Sequence, residues 1–273
     1  MLPLPNFLSN GRIEPMSTKK IALITGATSG IGKELAKCFA INGYTVIIVA
    51  RDIHNLHETA EEFRKQYGAD VAIIQTDLSE PGAAEKIYNE IGGKRIDVLV
   101  NNAGYGAYGP FVENDPNVVI QTIRLNIENL THLTRLVLPD MINRRSGKIL
   151  NVASLAAFSP GPLMAVYHGT KAYVLSFGNA IRYELKGTGV SLTTLCPGAT
   201  ATNFQKKSEY GKSKLVKMGT MRADDVARQG YHGLMDGQAT VVPGFRNQML
   251  RFLAKLGPRS AVVRVSAKLN STD

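Results

Sequence analysis

The chain has 273 residues, of which 44% are hydrophobic and 20% charged, with 26 glycines, 12 prolines and no tryptophan. This composition is typical of a folded globular protein and excludes collagen-like, low-complexity and mostly disordered chains. The net charge of +10 divides into +2 on residues 1–202 (19 Lys/Arg, 17 Asp/Glu) and +8 on residues 203–273 (13 Lys/Arg, 5 Asp/Glu). The C-terminal quarter is therefore the basic part of the molecule.

The cysteines and the N-terminal segment indicate in which cellular compartment the protein works. Two cysteines, Cys38 and Cys196, are too few for a disulfide framework and lack metal-ligand spacing, so we expect small buried side chains in a cytoplasmic protein. Residues 1–17 form an expected N-terminal tail, which contains Pro3 and Pro5 and lacks the pattern of a secretory signal. No run approaches the ~18 apolar residues that a membrane span requires.

Short apolar runs alternate with helical stretches along the chain. The predicted strands are 20–25, 45–50, 71–75, 97–100, 147–153 and 190–195, and the predicted helices are 30–41, 54–67, 82–91, 117–142 and 165–185. Short all-apolar strands are typical of a sheet covered on both faces, and the alternation indicates right-handed βαβ units. We expect an α/β fold, a Rossmann-type doubly wound parallel sheet in one domain (18–245) with a C-terminal helical extension (246–273).

A glycine-rich turn, TGATSGIG, joins the first predicted strand to the first predicted helix. Gly26 permits a tight turn, Gly30 lets a pyrophosphate approach the backbone, and Gly32 lets the helix pack closely on the sheet. The free N–H groups and the positive end of the helix dipole favour an anion. Similar turns also occur for packing reasons alone. The candidate phosphate-binding residues are Gly26, Thr28, Ser29, Gly30, Ile31 and Gly32.

The end of the second predicted strand bears on coenzyme choice. An NAD site places an acidic residue there to bind the ribose hydroxyls, and this sequence has Ala50 instead. The next residue, Arg51, can pair with a 2′-phosphate, although Asp52 follows it and an arginine can also simply end a strand. We predict NADP(H).

Tyr167 and Lys171 lie four residues apart in a predicted helix and therefore on one face. A tyrosine titrates near ~10, but a close ammonium group stabilises the phenolate and lowers that pKa. Ser154 follows the strand 147–153, and its hydroxyl can hydrogen-bond a carbonyl oxygen where negative charge grows. A Tyr/Lys pair taken alone is usually a surface feature.

The motifs occur together in one order: TGATSGIG, Asp77, NNAG at 101–104, Asn126, Ser154, YHGTK at 167–171 and PG at 197–198. In this combination the chain closely resembles the short-chain dehydrogenase/reductase family over about residues 19–202. The resemblance implies that Tyr167 is the general acid in reduction and that Lys171 lowers its pKa and binds the nicotinamide ribose. It also implies that Ser154 polarises the carbonyl and that Asn126 holds a relay water beside the lysine.

The resemblance also assigns the rest of the coenzyme site. Asp77, with Leu78 beside it, would accept a hydrogen bond from the adenine amino group. Three residues, Asn102, Ala103 and Gly104, would line the adenosine side. The nicotinamide carboxamide would contact Pro197, Gly198, and Thr200 or Thr202. No metal is expected, because His54 and His57 lack a carboxylate or cysteine partner.

The segment 199–222 corresponds to the variable substrate lid of the family. Apolar side chains expected at the pocket beside Ser154 and Tyr167 are Leu155, Phe158, Met164 and Phe204. The lid carries basic residues at 206, 207, 212, 214, 217 and 222, and residues 237–272 carry six more with no acid. This basic rim has three interpretations: it attracts an anionic carrier such as a CoA thioester, it touches an anionic membrane, or it is a solvated surface with a subunit contact.

The predicted function is NADPH-dependent reduction of an apolar ketone or aldehyde. GYGAYGPF at 104–111 and the basic C-terminus resemble the 3-oxoacyl reductase-like members, which adds 3-oxoacyl thioesters to the candidate substrates. The alternatives are dehydrogenation of a hydroxy compound such as a hydroxysteroid, and a non-catalytic NADP(H)-binding sensor. The basic charge would also suit nucleic acid, but no recognition motif is present. The predicted helices 117–142 and 165–185 resemble those that form the family's dimer and tetramer interfaces. The resemblance therefore implies a homodimer or homotetramer.

Overall fold

A computed structural model describes residues 19–202 and 209–272. Within these residues seven strands form one parallel sheet in the order β3-β2-β1-β4-β5-β6-β7. The strands are β1 (Ile21–Thr25), β2 (Thr45–Ala50), β3 (Val71–Gln75), β4 (Val98–Asn101), β5 (Gly147–Val152), β6 (Val190–Leu195) and β7 (Thr240–Val241). The helices are α1 (Gly30–Ile41), α2 (Ile53–Tyr67), α3 (Ala83–Ile91), α4 (Pro116–Ile123), α5 (Asn129–Asn143), α6 (Ala165–Glu184), α7 (Lys214–Lys217), α8 (Ala223–Met235), α9 (Phe245–Leu256) and α10 (Arg259–Asn270).

The strand order reverses beside β1, which pairs with β2 on one side and with β4 on the other. At such a switch point the loops leaving the two strands diverge and open a crevice at their carboxyl ends. Thr25 ties these ends together, because its Oγ1 accepts hydrogen bonds at 3.0 Å from the backbone N–H groups of Asn102 and Ala103. The predicted doubly wound parallel sheet is confirmed, and β7 extends it by one short strand.

Helices cover both faces of the sheet with apolar side chains. On one face α1, α2 and α8 bury Phe39, Phe63 and Leu234 against the strands. The Phe39 ring packs edge-to-face on Tyr231, with the ring centroids 5.1 Å apart. On the other face α3 and α5 bury side chains such as Met141. This burial on both sides explains why the strands are continuous apolar runs.

The helix predicted over 117–142 is not one regular helix. It consists of α4, a π-helical turn (Arg124–Glu128) and α5. A π turn is a local change of backbone hydrogen bonding to the i→i+5 pattern, which the predicted helix did not include. Such turns are frequent at functional sites, and Asn126 lies in this one.

Residues 246–272 of the predicted extension (246–273) fold back with α9 and α10 onto the carboxyl end of the sheet. The end of α10 is fastened there, since Asn270 is buried and its Nδ2 donates to the carbonyl of Pro162 at 3.0 Å. The backbone carbonyl of Asn270 accepts a hydrogen bond from the Tyr108 hydroxyl at 2.8 Å. Over the part of the chain that is described, no helix has both the length and the apolar character needed to cross a bilayer.

Candidate active site

The glycine-rich turn after β1 is shaped by a contact with Asn102, the residue that follows β4. A Cβ atom on Gly32 would lie 2.2 Å from the carbonyl oxygen of Gly26 and 2.3 Å from Asn102 Nδ2, so only glycine fits there. The Asn102 amide donates to the carbonyls of Thr25 and Gly26 at 2.9 and 3.2 Å. Ser29 occupies the N-cap position of α1 without capping it through its side chain. The first amides of α1 therefore face the crevice and can bind an anion.

The basic side chain of Arg51 and the acidic side chain of Asp52, which follow β2, make different contacts. Arg51 is largely exposed, and its Nη1 lies 4.0 Å from Asp77 Oδ2. Asp52 instead caps α2, since its Oδ1 accepts a hydrogen bond from the backbone N–H of Asn55 at 3.1 Å. Backbone hydrogen bonds at this cap lower the pKa of the Asp52 carboxyl. Asp77 also accepts from the backbone N–H and the hydroxyl of Ser79, at 2.9 and 2.7 Å.

Ser154, Tyr167 and Lys171 meet at the carboxyl ends of β5 and β6. Lys171 is buried, and its Nζ donates to the carbonyl of Val152 at 2.9 Å and lies 5.8 Å from the centroid of the Tyr167 ring. Burial lowers the pKa of Lys171 to about 8. Burial raises the pKa of Tyr167, and its hydrogen bond with Ser154 acts in the opposite direction. The arrangement places a protonated phenol beside a serine hydroxyl and an ammonium group.

Asn126 lies behind these three side chains, and its amide makes three hydrogen bonds. Its Nδ2 donates to the carbonyl of Tyr105 and to Thr170 Oγ1, both at 2.9 Å, and its Oδ1 accepts from the Tyr105 N–H at 3.1 Å. Thr170 in turn donates to the carbonyl of Tyr167 at 2.8 Å. The π turn is therefore joined to α6 directly beside the tyrosine.

One cleft of about 960 Å³ connects these parts. Every predicted coenzyme residue, from Gly26 to Thr202, lines it. The predicted substrate residues Ser154, Leu155, Phe158, Met164 and Tyr167 also line it. Asn126, predicted as a catalytic residue, is not part of its wall. Phe204 lies outside the described residues.

Several residues of the cleft were not predicted from the sequence. A Cβ on Gly106 would lie 2.7 Å from Cδ2 of Tyr167, so this glycine leaves room for the tyrosine ring. Tyr210 also lines the cleft, and burial raises the pKa of its phenol. The far wall is apolar and comes from α9 and α10, including Leu250 and Val262. The amphipathic pattern of α9 was visible in the sequence, but its position over the cleft was not.

The two ends of the predicted substrate lid, residues 199–222, lie side by side. Thr200 forms a parallel bridge with Met221, and the backbone N–H of Ala201 donates to the carbonyl of Met221 at 2.9 Å. Part of the positive charge of this segment is neutralised, because Arg222 makes two hydrogen bonds of 2.9 Å to the carboxylate of Asp224. The lid's lysines at 206 and 207 lie outside the described residues.

The sequence comparisons identify the family. The model of the family described as "short chain dehydrogenase" matches residues 20–213, which cover the sheet from β1 to β6 and all the candidate catalytic side chains. The chain belongs to the short-chain dehydrogenase/reductase family. It is thus an oxidoreductase of a family that uses nicotinamide coenzymes. The predicted family membership is confirmed.

Two curated relatives within the short-chain dehydrogenase/reductase family are reductases. The chain is 35% identical over 73% of its length to very-long-chain 3-oxoacyl-CoA reductase-B of Danio rerio. It is 37% identical over 69% of its length to the very-long-chain 3-oxoacyl-CoA reductase of Anas platyrhynchos. The match covers 66% and 62% of these two proteins, so the chain spans less than two thirds of either.

Solved structures of this family share the fold. A short-chain dehydrogenase from Sphingobium yanoikuyae in complex with NADPH superposes with a TM-score of 0.78 at 29% identity, covering 86% of this chain and 94% of that one. A bulky-bulky ketone specific alcohol dehydrogenase from Comamonas testosteroni gives a TM-score of 0.74 at 25% identity, covering 88% and 96%. These proteins are similar to this chain along most of its length.

Proposed function

We propose that this chain is an NADPH-dependent carbonyl reductase that acts on an apolar ketone or aldehyde, with Tyr167 as the general acid. The observation that carries the proposal is the joint placement of Ser154, Tyr167 and Lys171 in the cleft whose other end is the glycine-rich turn. A phosphate-binding loop alone would serve many nucleotides. A phenol, a hydroxyl and a buried amine at its far end point to proton transfer beside a carbonyl.

The cleft residues fit a nicotinamide dinucleotide. The open amides at the start of α1 suit the pyrophosphate, and Asp77 and Leu78 suit the adenine. The adenosine side would also meet Asn102, Ala103 and Gly104. The carboxamide would be held by Pro197, Gly198, Thr200 and Thr202, all of which line the cleft. When bound, the coenzyme supplies the hydride for the carbonyl carbon.

A preference for NADP(H) is supported by the three residues that end β2. Ala50 offers no carboxylate to a ribose, and the Asp52 carboxylate is engaged as the cap of α2. The guanidinium of Arg51 lies 4.0 Å from Asp77 but is largely exposed, so it can approach a 2′-phosphate, an anion that arginine binds in a bidentate manner. The NADPH complex of the Sphingobium protein is consistent with this proposal.

The proton chemistry follows from the protonation states at the site. Because burial raises the pKa of Tyr167, its phenol is protonated at neutral pH and can donate to the carbonyl oxygen. Ser154 donates a hydrogen bond to the same oxygen as negative charge develops there. The charge of Lys171 stabilises the phenolate that remains. Asn126, fastened to Thr170 and Tyr105, would hold the relay water beside Lys171.

The substrate end favours an apolar compound. Leu155, Phe158 and Met164 line one wall, and apolar side chains of α9 and α10 line the opposite wall. The relatives named as 3-oxoacyl-CoA reductases make a 3-oxoacyl thioester a specific candidate. The same groups could catalyse the reverse reaction on a hydroxy compound, with Tyr167 acting as the base.

The test is turnover of purified protein with NADPH against ketones, aldehydes, steroids, 3-oxoacyl thioesters and quinones. We expect oxidation of NADPH with an apolar carbonyl compound. Tyr167→Phe removes the transferable proton and should lower kcat by about two to four orders of magnitude. Tyr183→Phe is the matched control, because Tyr183 lies on the same helix α6 and is 70% exposed.

The control should keep wild-type turnover. Equal turnover by Tyr167→Phe and the wild type would contradict the role of Tyr167. Binding of NADPH without turnover of any carbonyl or hydroxy compound would instead favour a coenzyme-binding sensor.

A further inference from the structure

The outer face of α9 carries an apolar stripe that no other element of the described residues covers. Phe245, Met249, Phe252 and Leu256 recur every three or four residues and therefore fall within about 60° of arc on the helix. Their side chains are 79%, 47%, 58% and 67% exposed. Single exposed apolar residues are ordinary on a protein surface, but a continuous stripe on one helix is typical of an interaction site.

The opposite face of α9 holds the helix on the body of the protein. Asn247 packs over Gly198 and donates to the carbonyl of Pro243 at 2.6 Å. Leu250 lines the cleft, and the Arg251 guanidinium lies 5.2 Å from the centroid of the Phe158 ring. Because these contacts fix the orientation of α9, its apolar stripe points away from the core.

The stripe lies in a strongly positive surface. Residues 244–272 contain six Lys/Arg and no acidic residue. Arg246 and Lys255 are exposed and lie on either side of the stripe along α9. On α10, Arg264 and Lys268 are also exposed. The partner of this surface should therefore be apolar at its centre and negatively charged around it.

The mouth of the cleft opens beside the stripe. Leu253 of α9 and Val265 of α10 both line the cleft, and yet they are 56% and 57% exposed. The apolar interior of the cleft is thus continuous with the outer surface between these two helices. Whatever covers the stripe also faces this opening.

We propose that α9 and α10 dock on an anionic lipid bilayer, with the α9 stripe inserted among the headgroups and acyl chains and the mouth of the cleft facing the lipid. A basic amphipathic helix lying in the interface is stabilised by buried apolar area and by attraction to anionic lipids. A second copy of the chain fits less well. A symmetric pairing would bring the six positive charges of residues 244–272 against the same six, with no acidic residue in that segment to offset them.

Docking of α9 and α10 on a bilayer does not depend on catalysis. With the mouth of the cleft facing the lipid, an apolar substrate could enter from the bilayer, and this part of the proposal rests on the proposed carbonyl reductase function. The experiment therefore measures vesicle binding without coenzyme or substrate. Flotation compares vesicles of phosphatidylcholine alone with vesicles of phosphatidylcholine and phosphatidylglycerol in equal amounts. We expect binding to the mixed vesicles, weakened by salt because part of the attraction is electrostatic.

Two variants separate the apolar and the charged contributions. The triple variant Met249→Ser, Phe252→Ser, Leu256→Ser should lower the partition coefficient on mixed vesicles by about tenfold or more. The variant Arg259→Gln, Arg264→Gln, Lys268→Gln should lower it by on the order of a hundredfold. The control Ile41→Ser, Val112→Ser removes two other exposed apolar side chains, 59% and 89% exposed, and should bind like the wild type.

Circular dichroism melting confirms that each variant is folded, and light scattering without lipid gives its oligomeric state. Failure of the wild type to bind mixed vesicles would overturn the proposal. Equal binding by the folded stripe variant and the control would also overturn it. A smaller oligomer in the stripe variant alone would assign the stripe to a contact between copies of the chain and so contradict lipid docking.

Discussion

Lys171 carries its charge in surroundings that disfavour it. The side chain is buried, its Nζ bonds to the Val152 carbonyl, and burial lowers its pKa to about 8. At neutral pH the ammonium form still predominates, so it can stabilise a phenolate on Tyr167. Above this pKa the amine becomes neutral and that stabilisation is lost. The reduction reaction should therefore lose activity on the alkaline side.

The pH profile of kcat/KM tests this reasoning. With an apolar ketone and NADPH, we expect a plateau below pH 8 and a fall of about tenfold per pH unit above the lysine pKa. In Lys171→Arg the guanidinium stays protonated, so its residual activity should lack the fall near pH 8. A wild-type profile that is flat to pH 10, or the same fall in Lys171→Arg, would contradict the assignment.

At this scale the sequence predicted most of the side chains that the structure brings together in the cleft. Tyr167 and Lys171 lie about one turn apart on α6. Ser154 follows the end of β5, and this places it beside them. Gly106 and Tyr210 were not predicted, because their relation to Tyr167 depends on how separate loops pack. The bonding of the Asn126 amide to Tyr105 and Thr170 is likewise a tertiary contact without a local pattern.

At the scale of elements, the most informative difference from expectation is in the C-terminal part. The sequence predicted a basic helical extension that includes an amphipathic helix, and α9 is that helix. In the structure α9 and α10 form a wall of the cleft, because Asn247 meets Gly198 and Asn270 meets Pro162 and Tyr108. These contacts join residues more than a hundred positions apart in two of the three cases, which periodicity cannot show.

The contact at Asn270 can be tested directly. Asn270→Leu removes the amide that pairs with the Pro162 carbonyl, which should cost about 1–3 kcal/mol of unfolding free energy. We expect faster hydrogen exchange in α10, unchanged exchange in β1 and β4, and a higher KM for the apolar carbonyl compound. Arg264→Gln on the exposed face of α10 is the control. Unchanged exchange in α10 of Asn270→Leu would show that this contact does not hold the helix.

At the scale of the whole molecule, the switch point of the sheet explains why one cleft can hold a coenzyme and a substrate. The turn after β1 and the proposed catalytic groups after β5 and on α6 lie at the same carboxyl edge, and α9 and α10 cover the far end. The doubly wound sheet was predictable from the strand–helix alternation alone. The predicted oligomer and cytoplasmic setting stay predictions.

The central claim is that this cleft binds NADP(H) through the turn after β1 and through Arg51. Calorimetric titration of the wild type with NADPH and with NADH tests it most directly. We expect NADPH to bind about tenfold or more tightly than NADH, since Arg51 gains a charge-assisted pair with the 2′-phosphate. The double variant Ala50→Asp, Arg51→Ala should reverse this preference. No heat with either coenzyme, or a tenfold preference of the wild type for NADH, would contradict the account.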